Sequence, residues 1–198
     1  MNIIVLVGCT SSGKDTILKE LISSSNLNVK PIISFTSRPM RSGEVDGREY
    51  HFITKEDMLK KISNDEFIEV RSYDVVGSDV WYYGIGEDSI CLTSEDTYAT
   101  IVDISGLQEI KSYLEKHNKL NSLTSIFIDC SAQIRILRAL QREGKLNDLQ
   151  VAEICRRNLD DIDKVYNYKE LCDYILKNET KDDLESNINF IKSLISNK

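Results

Sequence analysis

The chain is short of the residues that interrupt regular structure. Two prolines and nine glycines make up about 6% of its 198 residues against a usual ~12%, and 41% of the residues are apolar, which excludes a disordered tail protein. Long apolar runs are missing as well. Near the start the longest is Ile3 to Val7, too short to span a membrane and without the charged leader and cleavage site of a signal peptide. The expectation is a cytoplasmic chain with no membrane partner. Five cysteines (Cys9, Cys91, Cys130, Cys155, Cys172) are scattered, odd in number and free of any Cys-x-x-Cys pair, which argues against a zinc site or a disulfide framework. His51 and His117 have no partner at metal-ligand spacing. Positive charge is in deficit, with 25 basic against 32 acidic side chains and a formal charge of −7, so no nucleic acid is expected as a partner.

What positive charge there is comes in clusters. Arg38, Arg41 and Arg48 share one short window, Arg135, Arg138, Arg142, Arg156 and Arg157 another, and Arg71 alone lies outside them. An acidic protein with its guanidinium groups gathered this way suits small anionic ligands.

Ile3 to Val7 is a continuous apolar run ending at Gly8, as in a strand buried on both faces of a parallel sheet. Helical spacing follows in Lys14 to Ser24. Val29 to Phe35, Tyr98 to Ile104, Ser125 to Cys130 and Asp173 to Leu176 read as further strands. Helices are expected around Leu107 to Leu114, over Ile134 to Leu140 with an interruption at Gly144, over Val151 to Val165, and over Leu184 to Ile195. Alternation of strands with helices predicts a parallel α/β sheet. Residues 34–95 depart from it, with short strands at Tyr50 to Ile53 and from Glu66 to Ile85, a turn near 77–79 and a helix carrying Met58, Leu59 and Ile62. They read as an insertion forming its own lobe.

Gly8-Cys9-Thr10-Ser11-Ser12-Gly13-Lys14 has the spacing G-x-x-x-x-G-K, directly after a strand and directly before a helix. Loop and helix N–H groups in that setting point at phosphate oxygens, and the lysine ammonium reaches the terminal phosphates. Asp15 stands where a Ser or Thr hydroxyl usually ligates magnesium. A carboxylate can hold Mg²⁺ directly or through water, and Thr16 lies beside it.

A second segment is far more specific. Ser34-Phe35-Thr36-Ser37-Arg38-Pro39-Met40-Arg41-Ser42-Gly43-Glu44-Val45-Asp46-Gly47-Arg48-Glu49-Tyr50-His51-Phe52 resembles the GMP-binding segment of guanylate kinases. Glu66-Phe67-Ile68-Glu69, Tyr82-Tyr83-Gly84 and Asp103 follow in that family's order. The resemblance implies an α/β P-loop kinase fold in three layers, with a five-stranded parallel sheet, an inserted monophosphate-binding lobe and a lid. It implies one domain over 1–198, with a core of 1–33 and 96–198, a GMP-binding insertion of 34–95 and a lid at about 138–157. The implied reaction is ATP + GMP giving ADP + GDP, with Mg²⁺ accompanying ATP. ATP would be held by Gly8, Cys9, Thr10, Ser11, Ser12, Gly13, Lys14, Asp15 and Thr16. Arg38, Arg41, Tyr50 and Tyr83 would hold the acceptor phosphate, while Ser34 and Glu69 read the base. Guanine presents N1–H and N2–H₂ side by side and one carboxylate accepts both, whereas adenine has an acceptor at N1.

Arg138, Arg142 and Arg157 match the family's lid arginines and would join Lys14 and Arg38 in charge stabilisation. Arg135, Arg138 and Arg142 also have the spacing of one solvated helix face. Asp103 matches an acidic residue that assists the magnesium or the lysine, and helix capping is its other reading. Several positions depart from the family. Ser11 replaces a usual glycine, Ile85 a small hydroxyl residue near the guanine, and Ser105 a second aspartate that contacts the acceptor nucleotide. Val75 to Val80 reads as an insertion. Two other readings compete: a ribose 1,5-bisphosphate phosphokinase, suggested by Gly13-Lys14-Asp15, and a non-catalytic module binding a phosphopeptide. Monomer and homodimer are both open.

Overall fold

The computed structural model describes residues 1–41, 43–75, 79–143 and 146–196. The turn expected near 77–79, most of the 75–80 insertion and the break at Gly144 fall on or beside residues outside this range. In chain order the elements are β1 (Asn2–Val7), α1 (Lys14–Ser23), β2 (Val29–Pro31), β3 (Phe35–Thr36), β4 (His51–Phe52), α2 (Lys55–Ser63), β5 (Phe67–Val75), β6 (Asp79–Gly86), β7 (Thr97–Ile101), α3 (Ile104–Lys116), β8 (Leu123–Asp129), α4 (Ala132–Glu143), α5 (Asp148–Lys164), β9 (Tyr174–Lys177) and α6 (Lys181–Ser196).

β1 lies at the middle of a five-stranded sheet of order β2-β7-β1-β8-β9, and every pairing in it is parallel. Its apolar run is continuous because each face meets a different core. Ile3, Val5 and Val7 pack with Ile104, Leu107, Ile110 and Leu114 of α3. Ile4 and Leu6 pack with Ile17 and Leu21 of α1 and with Ile191 and Ile195 of α6. Helices on both faces of a parallel sheet make the expected three-layer α/β architecture. The stripe of the last helix thus belongs to the core.

The expected strand from Val29 to Phe35 is two strands in two sheets. β2 ends at Pro31, whose missing N–H suits the last position of an edge strand, and Ile32 N–H still donates to Ala99 O at 2.9 Å. The chain then crosses to a four-stranded sheet of order β4-β3-β6-β5, where Phe35 pairs with His51 and Gly84. In this lobe α2 buries Met58 but leaves Leu59 exposed.

β5 and β6 are antiparallel, with a register shift between Phe67 and Glu69. Such a bulge re-aims side chains, and here Val70 N–H donates to Glu109 Oε2 of α3 at 3.0 Å. The small lobe is therefore fastened to the large one through the strand that carries Glu69. No helix among the described residues is long and apolar enough to cross a membrane.

Ile110 is fully buried between α3 and the sheet, and Leu159 on α5 is 66% exposed. Ile110→Ala is expected to cost about 2–5 kcal/mol in urea unfolding, and Leu159→Ala no more than about 0.5 kcal/mol.

Candidate active site

All five parallel strands of the large sheet end on the same rim: β2 into Ile32, β1 into Gly8, β7 towards Asp103, β8 into Cys130, β9 into Asn178. Open α/β sheets bind ligands outside these ends. The loop after β1 is shaped by backbone constraints. Gly8 has φ of 149°, and a Cβ there would lie 2.6 Å from the carbonyl oxygen of Ile128. Gly13, at φ 102°, opens α1 without any side-chain cap. The first-turn N–H groups of α1 are left for an anion, and the helix dipole favours one. Ser11, where the resembling family has glycine, adopts φ of 60° with its buried Oγ unpartnered.

Lys14 is 9% exposed and folds back over the loop, donating from Nζ to Gly8 O at 2.6 Å and Cys9 O at 2.7 Å. Burial lowers its pKa from the ordinary lysine value. Asp15 and Thr16 are exposed on the first turn of α1 beside it.

Residues far along the chain brace the loop. Asn178 donates from Nδ2 to Ser12 O at 2.7 Å. Arg138 reaches the same oxygen at 3.3 Å and Asn178 O at 2.9 Å, and also donates to Glu179 O. Thr10 N–H donates to Asp161 Oδ2 at 2.6 Å. That carboxylate also pairs with Arg135 at 3.1 Å, while Arg135 Nε donates to Cys130 O. Arg135 is 2% exposed, so the solvated face suggested by its spacing is corrected: an aspartate of α5 and a strand-end carbonyl draw it inwards. Arg142 and Arg157 line a cleft of about 300 Å³ between α4, α5 and Thr10. Arg157 there donates from Nε to Glu153 Oε1 at 2.8 Å.

In the small lobe Arg38 is 4% exposed and forks onto Glu44 at 2.8 and 3.0 Å, with Tyr50 and Phe52 rings 5.5 Å from its Cζ. Glu44 also accepts from Arg41 N–H, and the Arg41 side chain is exposed. Tyr50 and Tyr83 meet edge to face at 5.7 Å. Ser34 is buried, and its carbonyl accepts from His51 N–H.

Glu69 is 1% exposed, and burial pushes its carboxyl up to about 7 against the opposing pull of Arg71. Ile85 lies directly opposite it in the β5–β6 register. A Cβ on Gly106 would sit 3.2 Å from Glu69 Oε2, so glycine in α3 lets that helix approach the carboxylate.

Asp103 caps α3, accepting from Gly106 N–H at 2.9 Å through Oδ1 and from Tyr73 O–H at 3.2 Å through Oδ2. Capping is thus observed, and its hydrogen bonds run to α3 and β5 rather than to the loop. Ser105 is exposed on the first turn of α3. Among the described residues no three His, Cys, Asp or Glu side chains gather as a metal site.

Four residues of this rim escape sequence reasoning: Glu44, Arg71, Asp161 and Asn178. Asn178 alone carries a usable signal, since it lies two residues past the last predicted strand, where ligand-binding residues collect.

The model of the family described as guanylate kinase matches residues 1–198. The guanylate kinase of Mycoplasmoides gallisepticum is 31% identical, over 98% of this chain and 91% of its own length. That of Porphyromonas gingivalis is 29% identical over 98% and 96%. The crystal structure of guanylate kinase from Anaplasma phagocytophilum shares the fold, with a TM-score of 0.66 at 23% identity over 98% of this chain and 84% of that one.

Asp161→Ala leaves the Arg135 guanidinium buried without a counter-charge and is expected to cost about 3–5 kcal/mol in urea unfolding. Adding Arg135→Met to it should recover part of that loss, because the stranded charge is gone.

Proposed function

The chain belongs to the guanylate kinase family, and on that premise we propose how its residues divide the transfer of a phosphoryl group from ATP to GMP. The enzyme is an ATP-dependent nucleoside monophosphate kinase that makes ADP and GDP. That assignment removes the ground for a sugar-bisphosphate kinase or a phosphopeptide module. A chain that consumes ATP works where ATP is kept, in the cytoplasm.

The loop from Gly8 to Thr16 takes the ATP phosphates, with the uncapped N-terminus of α1 supplying N–H groups and Lys14 turning from Gly8 O and Cys9 O to phosphate oxygens. The exposed carboxylate of Asp15 has the oxygen chemistry to hold Mg²⁺ directly or through water. Asp103 fits a metal less well, both its oxygens being engaged on α3 and β5. Magnesium held at Asp15 together with ATP would supply screening of the phosphate charge.

Arg38, Arg41, Tyr50 and Tyr83 take the GMP phosphate. Arg38 is preformed for this, since Glu44 and two aromatic rings already fix its fork. Arg138, Arg142 and Arg157 neutralise charge as the two polyanions meet, and closure of the cleft they border excludes water from the transfer. No side chain forms a covalent intermediate in this scheme.

The observation that carries the choice of acceptor is the burial of Glu69. A carboxylate out of water must be matched by donors, which guanine offers at N1 and N2 and adenine lacks at N1. Ser34 assists, and with Ile85 and Ser105 the supporting contacts are reduced, so GMP and dGMP are expected to react at similar rates, while IMP, which offers N1–H alone, reacts more slowly.

ADP release with GMP, dGMP, IMP, AMP and UMP offered separately tests the scheme. Turnover with GMP should fall at least about a hundredfold in Glu69→Gln and collapse in Lys14→Ala. A strict preference for GMP over dGMP would refute the relaxed acceptor range.

Only the ionised form of Glu69 accepts from both guanine donors. With its carboxyl at about 7, kcat/KM for GMP should decline about tenfold per unit as the pH falls below that value. The ratio of wild type to Glu69→Gln at each pH cancels the titration of the GMP phosphate and isolates this limb.

A further inference from the structure

Arg71 stands apart from both arginine clusters, and its partner is the base reader. It lies two residues beyond Glu69 on the same face of β5, with Tyr83 opposite it on β6. Its Nη2 donates to Glu69 Oε1 at 3.1 Å, and its Nε lies 2.9 Å from Oε2. The second approach is close but off-axis, so Nε and Oε2 both remain buried without a completed hydrogen bond. A buried acceptor in that condition is destabilising and is ready for a better-aligned donor.

The two adjacent N–H groups of a guanidinium and the N1–H and N2–H₂ edge of guanine present the same donor pair to a carboxylate. We propose that Arg71 is an internal stand-in for the guanine of GMP, seated on Glu69 in the free enzyme and displaced from it when the nucleotide enters. This rests on the reading that Glu69 recognises guanine. Both carboxylate oxygens face Arg71 and the Glu69 side chain is completely shielded, so an incoming base cannot use it until the fork moves.

A receiving position is already built. Arg71 Nη1 lies 3.7 Å from Asp103 Oδ2, an oxygen held by the Tyr73 hydroxyl. A small swing of the guanidinium exchanges the Glu69 carboxylate for the Asp103 carboxylate, so the cation keeps a counter-charge in both positions. GMP then aligns on Oε1 and Oε2 where Arg71 was misaligned. Arg71 acts as a specificity-determining residue: a monophosphate whose base offers no paired donors gives Glu69 nothing better than Arg71, and the arginine stays. The exchange weakens GMP binding by the fraction of molecules in which Glu69 is free.

Titration calorimetry with GMP alone, at about pH 8.5 so that Glu69 is ionised, tests this on the wild type, Arg71→Lys, Arg71→Ala and Glu69→Gln. Lysine keeps the positive charge and lacks the fork, so Arg71→Lys should bind GMP about fivefold to tenfold more tightly than wild type while AMP remains unbound. Arg71→Ala should bind more tightly still, and its melting temperature should rise more on adding GMP even where the free variant is less stable. If Arg71→Ala does not fold, Arg71→Lys carries the test. Equal or weaker GMP binding in Arg71→Lys, with binding lost in Glu69→Gln, would overturn the exchange and leave Glu69 as base reader. Unchanged binding in Glu69→Gln would overturn both.

Discussion

Burying a charge requires a partner, and four charged side chains are buried among the described residues. Lys14 rests on two loop carbonyls, Arg38 on Glu44, Arg135 on Asp161, and Glu69 on Arg71. An isolated charge in any of these places would cost several kcal/mol, so the partners are part of the fold. They are also what ligands must replace. Lys14 and Glu69 hold provisional partners, a pair of carbonyls and a misaligned guanidinium. Arg38 and Arg135 hold bidentate or doubly bonded ones. The proposed division between groups that change partners during a reaction cycle and groups that stay thus follows the quality of their contacts in the free protein.

The scaffold beneath them is simple. A parallel sheet with an independent core on each face sets five strand ends along one rim. Its loops are then cross-braced: Asn178 and Arg138 hold Ser12, and Asp161 holds Thr10. The small lobe is attached at β5 through the bulge that brings Val70, the residue next to Glu69, to Glu109. The strand proposed to recognise the acceptor is therefore the one that ties the lobe to the core.

Much of this was legible from residue order alone. β1 and its loop could be read because an apolar run, two glycines and a lysine fall within a few residues, and the interactions that shape them are local. The division of Val29 to Phe35 was not legible, since β-branched and aromatic residues lie on both sides of Pro31 and the change of sheet after it depends on β7 lying alongside. Arg135 shows the same limit. Its helical spacing describes a surface face, but its burial is decided by Asp161 on another helix. Arg71 could be read only as lying outside both arginine clusters, because the pairing with Glu69 depends on which way the bulged strand turns its face. Local pattern carries an element's type, and the partner of a charge is a tertiary fact.

Ser11 bears on how the phosphate loop meets its ligand. A glycine at φ 60° would be unstrained, but it would also leave the loop many alternative shapes in the empty protein. Serine narrows that choice, and the strain it brings, of order 1–2 kcal/mol, is borne in the folded state whether or not nucleotide is present. The ordering entropy that a glycine loop would lose on closing around phosphates has here largely been lost during folding. Nucleotide capture then draws on a cradle that is stiff beforehand, with affinity set more by fit and less by the cost of holding the backbone still.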